Sequence, residues 1–163
     1  MISFKIDSNL KLASKRFDKF FKKFPHIIKQ GLAQASIQLK EIILHKTDKG
    51  YDVSGKRFPE YSKMYAEEKG KTIVNLQDTN RMLQSISNIV INKNKSQVYF
   101  KSQTEAKKAY WHQTGQGNLP VRKFFGFNNK TERVIQKSFE KFLKKQIQQF
   151  KIWVKEKTLQ VIY

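Results

Sequence analysis

A chain of 163 residues carrying 33 Lys plus Arg against 13 Asp plus Glu, a formal +20, has the length of one domain with its own core and calls for an anionic neighbour: nucleic acid, an acidic protein surface or a membrane. Only Arg16, Arg57, Arg81, Arg122 and Arg133 are arginine, so the charge is a diffuse lysine field suited to phosphate attraction rather than to bidentate base reading. The lack of cysteine excludes disulfide frameworks, thiolate metal sites and cysteine nucleophiles, and thirteen phenylalanines argue against disorder.

Residues 2–6 alternate apolar and polar and predict a short strand, after which Ser8 offers a helix cap. No stretch here is an apolar signal-peptide core, and nowhere do eighteen apolar residues run together, so the expectation is a soluble chain made in the cytoplasm. Over 12–24, Phe17, Phe20, Phe21 and Phe24 share the i, i+3, i+4, i+7 spacing of one helical face. Pro25 predicts a break or kink. A second helical run follows, with Ile28, Leu32, Ala35, Leu39, Ile42 and Ile43 on one stripe, ending near His45.

Residues 47–62 hold Asp48, Gly50, Asp52, Ser54, Gly55 and Pro59 without periodicity, the chemistry of a long loop that is functional or ordered by a partner on assembly. A calcium loop built on Asp48, Gly50, Asp52 and Ser54 fails, because lysines interrupt the acidic positions and Glu60 arrives out of register. Ser62 caps a short helix through Glu68 and Gly70 closes it. Asp78 or Thr79 caps the next, carrying Met82, Leu83 and Ile86. Alternation over 87–92 and 97–102 around a turn predicts a hairpin, and Thr104 caps a helix over 105–112.

Residues 106–127 organise the rest. Gly115, Gly117 and Pro120 forbid a continuous helix, so the chain must turn and deliver Phe124, Phe125 and Phe127 to a place where they are buried. As a catalytic base His112 lacks a neighbouring acid nearer than Glu105, and His26 and His45 make no metal triplet with it; a structural His112 bonding the following turn is the preferred reading over a hydrolase. Arg122 is either a surface charge or a group that fixes this docking segment through an ion pair, a carbonyl or a neighbouring subunit. The last long helix, 131–158, puts Phe139, Leu143, Ile147, Phe150 and Val154 on one face and Arg133, Lys137, Lys141, Lys144, Lys151 and Lys155 in a basic stripe on another. The expected architecture is a single α+β domain over 1–163, a small antiparallel sheet packed against long N-terminal and C-terminal helices. No cofactor, metal site or small-molecule substrate is expected.

Three blocks, Val74-Asn75-Leu76-Gln77-Asp78-Thr79-Asn80-Arg81-Met82, His112-Gln113-Thr114-Gly115 and Leu119-Pro120-Val121-Arg122-Lys123-Phe124-Phe125-Gly126, resemble in order and spacing those of the phage virion morphogenesis family, the tail-completion proteins of Mu-like and related tailed phages. The run 50–65 adds to the likeness, which covers residues 40–140. Asn80 stands where glycine is usual and Val121 where alanine is common; asparagine tolerates the left-handed conformation better than other non-glycine residues. The resemblance implies a non-enzymatic virion protein, made in the host cytoplasm, forming a homo-oligomeric ring at the head-tail junction or top of the tail. Its docking segment (His112, Gly115, Leu119, Pro120, Arg122, Phe124, Phe125) would meet sister subunits and portal, connector or tail-tube proteins, and its basic stripe would lie near packaged DNA. Composition alone supports an alternative, a nonspecific lysine-rich nucleic-acid-binding protein.

Overall fold

The structure, a computed structural model, describes residues 7–70 and 73–159, with side chains described over 14–70 and 73–154. The strand expected over 2–6 lies outside the described residues. Helix α1 (Asp7–Asp48) takes in Ser8 and passes through Pro25 without a break. Proline deprives the carbonyl one turn earlier of its donor, but Pro25 and Phe21 sit on the exposed side of α1, where water can replace that bond. The packed side continues uninterrupted, which is why two expected helices are one.

Helix α2 (Lys63–Lys69) is capped by the Ser62 hydroxyl, which accepts from the Tyr65 N–H, and closed by Gly70 in the left-handed conformation. Helix α3 (Arg81–Gln84) starts at Asn80, at φ 59°, which makes no side-chain capping bond. Neither Asp78 nor Thr79 caps it, because the left-handed turn at Asn80 itself swings the chain into the helix. Strands β1 (Ile86–Asn92) and β2 (Lys95–Phe100) form the antiparallel hairpin, closing at the Asn92–Lys95 pair with a register irregularity between Val90 and Asn92. Ile86 therefore belongs to the sheet rather than to the preceding helix. Helix α4 (Gln103–Thr114) is capped by Ser102, two residues earlier than expected from Thr104, since the Ser102 hydroxyl accepts from Glu105 N–H. Helix α5 (Asn129–Leu159) begins where Asn128 Oδ1 accepts from Thr131 N–H at 2.9 Å. The α+β architecture with long terminal helices is thus as expected, and no helix among the described residues is long and apolar enough to cross a membrane.

Two regions result. In the head, Ile43 near the end of α1 packs with Phe58, Leu83, Ile86, Ala109 and Phe124, and Val98, Phe100 and Phe125 lean on that cluster. The hairpin lays Ile86, Asn88 and Val90 toward α1, with Asn88 Nδ2 donating to Ser36 Oγ; Ile89 and Ile91, on the alternate face, stay about half exposed. In the arm, α5 runs back antiparallel along α1. Lys46 Nζ reaches Thr131 Oγ1 at the head end, Phe20 stacks on Phe150 with centroids 4.2 Å apart, and Arg16 donates to the Val154 carbonyl at the far end.

Gly31 sets the arm's seam. A Cβ there would stand 2.6 Å from Phe139 Cε2 and 3.1 Å from Phe142 Cδ1, so the missing side chain is a notch that admits both rings. Phe139, Leu143, Phe150 and Val154 are partly buried as their spacing suggests, but the notch draws Phe142 into the seam as well, whereas Ile147 remains 39 % exposed.

Candidate functional site in the turn between α4 and α5

The loop 47–62 is fastened within the chain rather than left for a partner to order. Asp52 N–H donates to the Lys56 carbonyl, Val53 N–H to the Lys123 carbonyl and Phe58 N–H to the Gly50 carbonyl, and Lys46 Nζ and Asn128 Nδ2 both donate to the Val53 carbonyl. Burial pushes the Asp52 carboxyl up, but the Ser54 hydroxyl and the N–H groups of Lys56, Ser54 and Gly55 outweigh it and hold Asp52 below the usual range. Asp52 is therefore engaged in its own turn, and among the described residues no three His, Asp or Glu side chains gather as a metal site.

The turn after α4 needs its glycine twice over. Gly115 closes the helix at φ 75°, donating to the Trp111 carbonyl, and a Cβ there would come within 2.8 Å of Val121 Cγ2 and 3.0 Å of the Leu119 carbonyl oxygen. Gly117 and Asn118 continue in the left-handed region. The chain then doubles back so that Arg122 N–H donates to the His112 carbonyl at 2.7 Å. Gln113 clamps the next stretch: its Nε2 donates to the Phe125 carbonyl and its Oε1 accepts from the Phe125 N–H. Phe124 is thereby driven into the core at 2 % exposure, and Phe125 packs on Phe100 with tilted rings, centroids 4.7 Å apart. Phe127, expected to be buried with them, is 56 % exposed: Gly126, at φ 144°, redirects the chain toward α5.

Arg122 is no surface charge. It is 3 % exposed; Nε and Nη2 both donate to the Pro59 carbonyl and Nη2 also donates to the Glu60 carbonyl, while the guanidinium stacks 5.1 Å from the Tyr61 ring. Burial lowers its pKa, opposed by Tyr61 and Tyr65. Of the options left open by sequence, the carbonyl contact is realised, and it ties the resemblance-bearing segment 119–126 to the loop 47–62. Tyr61 spreads the tie further, its hydroxyl accepting from Lys69 Nζ and from Leu76 N–H, with Leu76 held at φ 55°.

Around this latch lies an open cleft of about 400 Å³ walled by Tyr61, Tyr65, Asp78, His112, Leu119 and Arg122. It continues past His112 toward Glu105, Lys108 and Trp111. Pro120 lines its rim. The His112 ring, held off protonation first by burial and then by Arg122, has a buried Nδ1 with no hydrogen-bond partner. Its engagement with the turn runs through the backbone carbonyl, not the ring. Glu105 spends one carboxylate oxygen on Lys108 at 2.9 Å. Burial raises the Tyr65 hydroxyl, helped by Asp78.

The structure thus brings together six of the expected docking residues and Pro120 at one turn, while the basic stripe is elsewhere. Arg133, Lys137, Lys141, Lys144 and Lys151 are all exposed on the side of α5 turned from α1; the Lys155 side chain lies outside the described residues. Sequence reading missed Tyr61, Gln113 and Asn128. Gln113 and Asn128 were signalled only by their position beside turn residues, and nothing local marks Tyr61 as the platform for an arginine 61 positions later.

Comparison with known protein families, with curated proteins and with solved structures returns no match for this chain.

Proposed function

We propose that this chain is a structural protein of a tailed phage virion, assembling as a homo-oligomeric ring at the head-tail junction or at the top of the tail. The observation that carries the reading is the Arg122 latch. The blocks on which the family resemblance rests are far apart in sequence, yet they meet at one place: Leu119–Phe125 is bound to Pro59 and Glu60 by Arg122, and Asn80 takes the left-handed conformation that glycine would supply. Motif residues that cooperate in one fold support a shared scaffold more strongly than isolated likenesses do.

The surface suits assembly. Ile89 and Ile91 on the outer face of the hairpin, and Trp111, Val121 and Phe127 around the turn, leave apolar area at water, the kind of surface that a neighbouring subunit covers. Arg122 is already spent on the Pro59 and Glu60 carbonyls. The exposed stripe on α5 supports a position near DNA: repeated around a ring, it would line a positive lumen or rim that attracts phosphates without reading sequence.

Electron microscopy of assembled particles tests the proposal. Density for this chain as a ring between portal and tail tube is the expected result, and particles complete without it would overturn it. The nucleic-acid alternative is separated by a salt titration: micromolar DNA binding by the isolated monomer, with a steep salt dependence, would favour that reading instead.

A further inference from the structure

The arm offers a groove that the described side chains of its two helices do not fill. Along about 12 Å of helix axis, Phe20 and Ile27 of α1 and Phe150 of α5 form an apolar floor, with Trp153 at one end and a volume of about 390 Å³. Trp153 is 39 % exposed although it stacks on Phe150 at 5.9 Å. Lys19 and Lys23, both exposed, stand on the α1 rim, and Gln146 and Gln149 line the α5 side. Across 14–35 and 133–154 there are twelve basic residues and only two acidic ones, Asp18 and Glu140.

We propose that this groove receives an acidic amphipathic helix of a partner protein, completing a three-helix packing along the arm. Two antiparallel helices leave a furrow whose shape is that of a third helix, filled by apolar side chains at i, i+3 or i+4, and i+7. Carboxylates beside that stripe would meet Lys19 and Lys23 and complement the field of the whole arm. A second copy of the arm is disfavoured, because it would bring another twelve basic residues against the first. Duplex DNA meets the rim lysines but presents nothing apolar to the floor, and a flat bilayer does not reach into a furrow between two helices. The groove is built from residues of one chain, so the inference stands apart from the virion assignment.

The test uses the full chain and a fluorescein-labelled synthetic helix of about three heptads, with leucines on one stripe and glutamates beside it. Comparators are the same peptide with serine for leucine, the same peptide with lysine for glutamate, a single-stranded oligothymidine and phosphatidylserine vesicles. The acidic leucine peptide should bind, and Lys19→Glu with Lys23→Glu should weaken it by at least about tenfold, as should Trp153→Ser. The same charge change on the opposite side of α5, Lys144→Glu with Lys151→Glu, should weaken it less than about threefold, because those charges act only through screened distance. If the Glu pair disturbs helix content by circular dichroism, Lys19→Gln with Lys23→Gln takes its place.

Equal losses from the two charge pairs, or equal binding of the serine peptide, would overturn the proposal, since bulk attraction would then suffice. Tighter binding of oligothymidine or vesicles, lost on changing the groove residues, would overturn it in favour of those partners.

Discussion

The head and the arm are held together by different means. In the head, a buried guanidinium, a glutamine clamp and several left-handed residues fix the backbone of 112–126 against 47–62. Each is a specific arrangement with few tolerated replacements. The arm relies on aromatic rings slotted against a glycine notch, and it leaves Phe17, Phe21, Ile152 and Trp153 substantially exposed. The head is tied chiefly through its backbone, and the arm chiefly through side-chain packing. Substitutions should therefore unfold the head cooperatively but loosen the arm locally.

The largest effect should come from Phe124→Ala. Truncating a ring at 2 % exposure leaves a cavity and costs about 3–5 kcal/mol, read as a lower urea midpoint. Phe17→Ala in the arm, where the ring is 50 % exposed, should cost about 1 kcal/mol or less. Equal losses at the two sites would abolish the distinction drawn between the regions. Next, Arg122→Ala removes three hydrogen bonds to carbonyls and leaves buried acceptors unmet, a loss of about 2–4 kcal/mol. Arg122→Lys should recover only part of it, because an ammonium cannot span two carbonyls as a planar fork does.

Gly115→Ala should cost about 1–3 kcal/mol through its positive φ and the approach of Val121 and Leu119. Gly31→Val gives the matching test in the arm. The added methyls meet Phe139 and Phe142, so amide exchange should quicken over 14–35 and 133–154 while the head keeps its protection. A cooperative loss across both regions would show that the arm is part of the same folding unit.

Much of the head was legible in the sequence because its signals are local. Ser62 and Gly70 bracket α2 as their types predict, Asn80 is left-handed where glycine was expected, and Phe124 is buried beyond the Gly-Pro bend. What escaped is non-local. Arg122 finds its acceptors 62 and 63 residues away, a pairing that no window of sequence displays. Pro25 was read as a boundary because proline costs a hydrogen bond, whereas the cost falls on the wet side of α1 and the seam with α5 outweighs it. One edge of the buried face of α5 escaped for a related reason: Phe139, Leu143, Phe150 and Val154 are partly buried as their spacing suggests, but Ile147 stays exposed while Phe142 joins Phe139 at the notch that Gly31 opens on the other helix.

The smallest expected effect is a pH dependence confined to the head. Burial, and then Arg122, lower the His112 pKa from 6.5, so the folded chain binds that proton less readily than the unfolded chain does. Where the unfolded state takes up more protons, stability rises with pH. The contribution of His112 is therefore fully present above 6.5 and is lost as pH falls through that value toward the lower folded pKa. His112→Gln removes the titrating group, so the urea midpoint of the wild type should drop more steeply between pH 7.5 and pH 5 than that of the variant. Substitutions in the arm such as Phe17→Ala should leave the slope unchanged. A steeper slope in the variant would mean that protonated His112 is favoured in the fold, as it would be if the unpartnered Nδ1 faced a carboxylate from the cleft.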